Sequence, residues 1–158
     1  MFLIEERRLT GDPKLPPKWF IRFFTRLNVL VYRLSGGRLM NRRQGAPICL
    51  VTMTGRKSGK RKTVCLMYTS HGDQVLLVAS LGGAPQHPTW YYNLKAHPEI
   101  DVQIGTLRRT MMSTEASPEE RRALWPIVVA NYPSFEAYQQ RTSREIPLFV
   151  CTSKSATN

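Results

Sequence analysis

The sequence predicts an α+β protein: a small antiparallel β-barrel of about six strands with helices at its edges and an amphipathic helix ahead of the first strand. Three observations carry this expectation. Apolar segments rich in β-branched residues recur between Ile48 and Thr152. The turns Ser58-Gly59, Gly72-Asp73 and Gly105-Thr106 are short enough for hairpins, which favours antiparallel over parallel pairing. Helical periodicity falls outside the strand segments. A length of 158 residues suits one domain with a single substantial core, and there are no repeats or low-complexity tracts.

The elements follow in chain order. MFLIEERR carries two acids where a signal peptide needs a basic start and an apolar core, and no run approaches the ~18 apolar residues of a membrane span. The expected location is therefore the cytoplasm. From Pro17 to Leu34 the residues Phe20, Phe23, Phe24, Leu27, Leu30, Val31 and Leu34 recur at helical spacing, with Lys18, Arg22, Arg26 and Arg33 between them. Gly36-Gly37 ends this basic amphipathic helix. Docking on its own domain is one reading of it. Its Trp19-Phe20 start and basic polar face also make residues 17–34 a candidate peripheral contact with an anionic membrane, on the inner face of the cell membrane. Residues 1–37 are thus a basic N-terminal segment and residues 38–158 the barrel domain, one structural domain overall.

Strands are expected at Ile48 to Thr54, Lys62 to Ser70, Gln74 to Ser80, Glu99 to Ile104, Leu107 to Thr114 and Ile146 to Thr152. Thr89 to Ala96 reads as a short helix bracketed by Pro88 and Pro98. Ser117-Pro118-Glu119-Glu120 is a capping box that opens a helix running toward Asn131, with a kink expected at Pro126. Tyr132, Phe135 and Tyr138 then fall at three-residue spacing on a helix broken by Pro133-Ser134, as core or as the wall of a pocket.

The formal charge of +12 is concentrated: residues 1–62 hold 15 of the 23 Lys and Arg and 3 of the 11 acids, whereas the rest of the chain is neutral. Arg56, Lys57, Lys60, Arg61 and Lys62 crowd one turn between two strands. Five cations that repel one another there suit a partner with several negative charges in a row, such as a phosphate followed by carboxylates. A solvated basic turn is the plain alternative. The turn is not a P-loop, because Gly55 and Gly59 have three residues between them, Arg61 follows Lys60, and a strand rather than a helix comes next.

Cys49, Cys65 and Cys151 lie in apolar runs without a CxxC pair, and His71, His87 and His97 are scattered, so no metal site is expected. Hydrolase, zinc-protease and dinucleotide motifs are lacking: there is no GxSxG, HExxH or GxGxxG after a strand. Ala79 to Leu94 ends a strand with Gly82-Gly83 and then presents Trp90, Tyr91, Tyr92 and Asn93 from a short helix. Paired glycines let backbone approach a ligand closely, and aromatic faces beside them suit a flat heteroaromatic ring. A tight turn with core aromatics is the alternative.

Three blocks in order, TMTGRKSGKRKTVCLMY, VASLGGAPQHPTWYYNLKAHPEIDVQIG and LWPIVVANYPSFEAYQQRTSREIPLFVC, resemble the deazaflavin-dependent nitroreductase family over roughly Arg38 to Cys151. The resemblance implies a split β-barrel of the FMN-binding type and a reductase that moves a hydride from the reduced 8-hydroxy-5-deazaflavin coenzyme F-420 to an electron-poor acceptor such as a quinone, an enone or a nitroaromatic. It also implies a phosphate and oligoglutamate tail on Arg56, Lys57, Ser58 and Lys62. The following strand, Thr63, Val64, Cys65, Leu66 and Met67, is expected to run along the coenzyme. A ring shelf falls on Val78, Ala79, Ser80 and Leu81, with Thr89, Trp90, Tyr91, Tyr92 and Asn93 from the short helix. Tyr132, Phe135 and Tyr138 fall at the acceptor wall, and Ser80, Tyr132 and Tyr138 are the candidate catalytic groups. Leu81 stands where the family often has lysine, Lys62 where arginine is common, Phe135 where tyrosine is frequent and Cys65 where proline is common. Alternatives are a split-barrel protein that binds FMN, and a non-enzymatic binder of anionic lipid or nucleic acid. Nucleic acid is not expected, since it would leave the glycine shelf and the aromatic blocks without a role.

Overall fold

A computed structural model describes residues 27–39 and 41–154. The helix α1 is seen over residues 27–34, and its expected start at residues 17–26, with Trp19-Phe20, lies outside the described residues. The strands are β1 (Arg42–Arg43), β2 (Ala46–Thr54), β3 (Arg61–Met67), β4 (Thr69–His71), β5 (Gln74–Val78), β6 (Glu99–Ile104), β7 (Leu107–Glu115) and β8 (Leu148–Ser153). The helices after α1 are α2 (Thr89–Ala96), α3 (Pro118–Asn131) and α4 (Ser134–Gln140), with a 3-10 turn at Leu81–Gly83.

The described strands are eight rather than six. The expected strand Lys62 to Ser70 divides at Tyr68, where the chain leaves β2, its partner along β3, and turns to pair with β5 as β4. Periodicity alone does not show such a corner, because both halves alternate correctly. Its backbone is held from outside: Tyr68 donates to the Pro47 carbonyl at 3.1 Å, and Asn131 Nδ2 donates to the Tyr68 carbonyl at 3.1 Å and to Thr69 Oγ1 at 3.0 Å. The two-residue strand β1 is too short to carry a periodic signal. The strand expected to reach Ser80 stops at Val78, because Ser80 turns helical and Leu81 has φ of +47°.

All pairings are antiparallel, in the order β1-β2-β6-β7-β8-β5-β4, with β3 on β2 as well. Side chains alternate across this sheet between the barrel interior and the buried clusters outside it, as the pleat requires. Cys49, Val51 and Met53 of β2, Val75 and Leu77 of β5, and Phe149 and Cys151 of β8 point into the barrel. Leu76 and Leu148 point outward onto Val128, Tyr132, Phe135 and Tyr138 of α3, α4 and their junction. The capping box forms as the sequence requires: Glu120 N–H donates to Ser117 Oγ at 3.2 Å and Ser117 N–H to Glu120 Oε2 at 2.9 Å. Pro126 lies within α3, which continues through it to Asn131 as one helix.

The helix α1 docks through Tyr32, which is fully buried beside Ile48, Leu50 and Cys65. Its hydroxyl donates to the Ile48 carbonyl and accepts from Gly105 N–H, both at 3.0 Å. A β-carbon on Gly37, whose φ is +75°, would sit 2.5 Å from Gly105 Cα, so only glycine lets the helix end approach the β6–β7 turn. Tyr32→Phe would remove the hydroxyl from a buried carbonyl and a half-buried N–H. It should cost about 1–3 kcal/mol in urea unfolding with an unchanged m-value.

Candidate functional site

The turn between β2 and β3 is a closed loop. Gly55 and Lys60 meet through Gly55 N–H to the Lys60 carbonyl at 2.9 Å, and Ser58 and Gly59 N–H both return to the Gly55 carbonyl. Asn93, buried on α2, fixes the turn to the body of the protein. Its Oδ1 accepts from Arg56 N–H at 3.0 Å, and its Nδ2 lies 3.6 Å from Met53 Sδ. One amide thus holds the start of the cationic turn beside the short helix.

The cations of that turn differ. Arg61 is ion-paired with Asp101. Arg56 lies over the Tyr92 ring at 5.3 Å. Lys57, Lys60 and Lys62 are exposed, and neither they nor Arg56 has an ion-pair partner among the described residues. Four cations therefore face solvent at one loop with their charge uncompensated, a donor set suited to an oligoanion.

Strand β3 presents two faces, so its five expected coenzyme contacts are not brought to one surface. Val64 and Leu66 point into the barrel, Cys65 and Met67 pack against the Tyr32 cluster, and Thr63 Oγ1 is engaged by Thr52 Oγ1 at 2.8 Å and by Arg33 at 3.3 Å. The shelf is more compact. Ala79 is core and Val78 packs toward α3 and α4, while Ser80 and Leu81 turn the chain. Among the helix residues Thr89 and Tyr92 are exposed, Trp90 is buried 5.8 Å from the Phe149 ring, and Tyr91 stands edge-on to Phe149 with its hydroxyl 3.4 Å from Glu115 Oε2.

Tyr132, Phe135 and Tyr138 do come together. Their ring centroids lie 5.0 to 6.4 Å apart, the Tyr132 and Tyr138 hydroxyls are 3.3 Å apart, and Tyr132 also donates to Gln44 Oε1. All three are buried, so the aromatic cluster is packed as core and its hydroxyls are occupied. It touches the shelf through Gly83: at φ +83°, a β-carbon there would lie 2.6 Å from the Tyr138 carbonyl.

Two residues were missed from the sequence. Arg144 binds the shelf backbone and His87 lies between shelf and helix, stacked on Tyr91 at 4.1 Å. A lone arginine in a polar loop carries no periodic or motif signal. Burial pushes the Cys65 thiol up to about 11 and that of Cys151 up to about 12, so neither supplies a thiolate near neutral pH. Among the described residues no group of His, Cys, Asp and Glu could hold a metal ion. An apolar cavity of about 110 Å³, lined by Val75, Val102, Ile104, Leu107, Arg109 and Met111, shares no residue with this site.

A small antiparallel barrel bearing an oligocationic turn beside a glycine shelf and an aromatic cluster is the arrangement that the resemblance to the split-barrel deazaflavin reductases implies. The family model described as F-420H(2)-dependent quinone reductase matches residues 24–153. An F-420H(2)-dependent quinone reductase of Mycobacterium tuberculosis is 39% identical over 133 residues, which cover 82% of this chain and 89% of the relative. A solved structure of an F-420-H2 dependent reductase is 42% identical, with a TM-score of 0.63, over 66% of this chain and 93% of that one. Another solved chain, described as a domain-swapped dimer, is 36% identical, with a TM-score of 0.66, over 86% of this chain and 99% of that one. The chain belongs to the F-420H(2)-dependent quinone reductase family: it is a deazaflavin-dependent oxidoreductase of the split-barrel fold, and coenzyme F-420 is its cofactor.

Gly83→Ala should force the shelf and α4 apart. A fall of about 1–3 kcal/mol in chemical unfolding, with weakened coenzyme affinity, is expected. Gly59→Ala, at φ +63° in open space, should cost less than Gly83→Ala.

Proposed function

We propose that the protein binds the coenzyme with its anionic tail on Arg56, Lys57, Ser58 and Lys62 and its ring beside Ala79 to Leu81 and α2, and passes a hydride to a quinone. The uncompensated charge of the β2–β3 turn carries this reading. The coenzyme supplies the hydride when bound. The family supports a quinone as the acceptor, ahead of an enone or nitroaromatic, and an FMN-binding protein or a non-enzymatic binder is the weaker reading.

The chain's own residues have three tasks. Arg56, Lys57 and Lys62 hold the tail, with Ser58 at the turn. The shelf and α2 fix the ring so that the donor carbon and the acceptor meet at reacting distance, which is where most of the protein's rate contribution arises. In this reading Ser80, Tyr132 and Tyr138 are the groups that bond the acceptor or deliver a proton. The two tyrosine hydroxyls already bond Gln44 and each other, so the acceptor must displace one of these contacts to engage them.

A peripheral contact with an anionic membrane goes with an apolar quinone. Leu30, Leu34 and Leu39 are 52%, 79% and 60% exposed, beside exposed Arg33 and Arg38. No described helix is long and apolar enough to cross a membrane.

Lys57→Ala with Lys62→Ala should raise the coenzyme dissociation constant about tenfold at low salt and less at high salt, while saturated turnover changes little. Normal binding by the double mutant would leave the turn a solvated basic loop. Tyr138→Phe should do the reverse, keeping coenzyme affinity and lowering turnover or acceptor affinity in steady-state kinetics. In sedimentation with anionic vesicles, Leu34→Asp with Leu39→Asp should release the protein without changing its melting temperature; equal sedimentation of mutant and wild type would place those leucines off the membrane.

A further inference from the structure

We infer that Arg144 and His87 form a positioning pair for the ring end of the site: the Arg144 guanidinium fixes the shelf backbone and holds the His87 imidazole with its hydrogen on Nε2, ready to donate to a carbonyl oxygen of a flat ring lying there. The inference rests on the reading that the shelf and α2 hold the coenzyme ring. It goes beyond that reading in naming two residues outside it.

The guanidinium is spent on four acceptors. Nε donates to the Ala84 carbonyl at 2.9 Å, Nη2 to the carbonyls of Ser80 at 2.9 Å and Ala79 at 3.2 Å, and Nη1 lies 3.1 Å from His87 Nδ1. One planar fork thus spans both ends of the turn that contains Leu81, Gly82 and Gly83, all at positive φ. A non-glycine residue such as Leu81 in that region is strained, and it persists where the surroundings over-determine it. Arg144 is itself held, because Gln139 Nε2 donates to its carbonyl at 2.9 Å and Gln139 Oε1 accepts from Ile146 N–H and Arg121.

The tautomer of His87 follows from the chemistry of its partner. A guanidinium has donors and no acceptor, so Nδ1 must offer its lone pair and the neutral ring carries hydrogen on Nε2. Burial, and then the Arg144 charge, lower the His87 pKa, while Glu115 opposes this. Tyr91 stacks on the imidazole at 4.1 Å and Tyr92 meets its edge at 6.0 Å, which fixes the ring plane. Nε2 has no partner among the described residues, and no described side-chain polar atom is both buried and unpartnered, so the Nε2–H is open to solvent or ligand.

The test uses Arg144→Lys, Arg144→Gln and His87→Phe, with binding followed for a deazaflavin riboside that lacks phosphate and glutamates, so that the tail cations do not contribute. Lysine keeps the charge but cannot span four acceptors. Both Arg144 variants should weaken riboside binding about tenfold, independently of salt. In the ligand-free proteins, long-range nitrogen-15 NMR should show a pure Nε2–H form of His87 in the wild type and a mixture of tautomers in the Arg144 variants. His87→Phe retains the stack on Tyr91 and should bind the riboside several-fold more weakly with an unchanged fold, which keeps the test decisive if the Arg144 variants do not fold. A wild-type His87 protonated on Nδ1, or wild-type riboside affinity in Arg144→Lys or His87→Phe, would overturn the inference and leave the site reading standing. If wild-type protein bound neither riboside nor whole coenzyme, the site reading would fall and take the ligand half of the inference with it; the tautomer would still decide the Arg144–His87 half.

Discussion

Strand β2 is the constraint on which the rest is built. It pairs with β3 along one edge and β6 along the other, and β1 adds to its start. Its Cys49, Val51 and Met53 fill the barrel while Ile48 and Leu50 face the Tyr32 cluster. A strand with both edges and both faces used cannot slip, since a shift of one residue would exchange the two apolar sets. The cationic turn leaves from its end, so the register of β2 sets where that charge stands. The buried Asn93, bonded to Arg56 N–H and close to Met53, transmits that placement to α2.

The sheet separates the barrel interior from the cluster under α3 and α4, and the candidate site lies where these two adjoin. Inward residues of β5 and β8 meet Trp90 and Leu94 of α2, while outward residues meet Val128 and the aromatic cluster. At the end of β5 the chain passes from one region to the other through Leu81–Gly83, and α4 closes against it at Gly83. Close packing there leaves no room for a β-carbon, which makes the distance between shelf and aromatic cluster a property of the backbone rather than of adaptable side chains. Reactions that depend on holding two molecules at contact distance gain from such rigidity.

Charge is distributed by the same logic. The acids of β6 and β7 are spent locally: Asp101 takes Arg61, Glu99 takes Lys154 and Glu115 takes Lys95. These exposed pairs contribute little to stability. Their consequence is electrostatic, because they leave Arg56, Lys57, Lys60 and Lys62 without an ion-pair partner among the described residues. Arg144, by contrast, spends its donors on backbone carbonyls and shapes the surface instead of presenting charge to it.

What the sequence determined by itself was local. The α+β class, the α2 limits, the Ser117 capping box, the β6 alternation and the cationic hairpin follow from periodicity, caps and turn residues, all of which act over a few positions. The three blocks also carried the family, because their order is more specific than any single motif. Only the tertiary structure decided the rest. The corner at Tyr68 depends on Asn131, which lies 63 positions away, so the segment read as one strand. Whether Trp90 is shelf or core, and that Val64 and Cys65 face opposite ways into packed regions, depends on which elements cover them. Arg144 and His87 were illegible for the same reason: a guanidinium acquires its role from the four acceptors around it, and folding brings those together from residues 79 to 87 and a loop some 60 positions later.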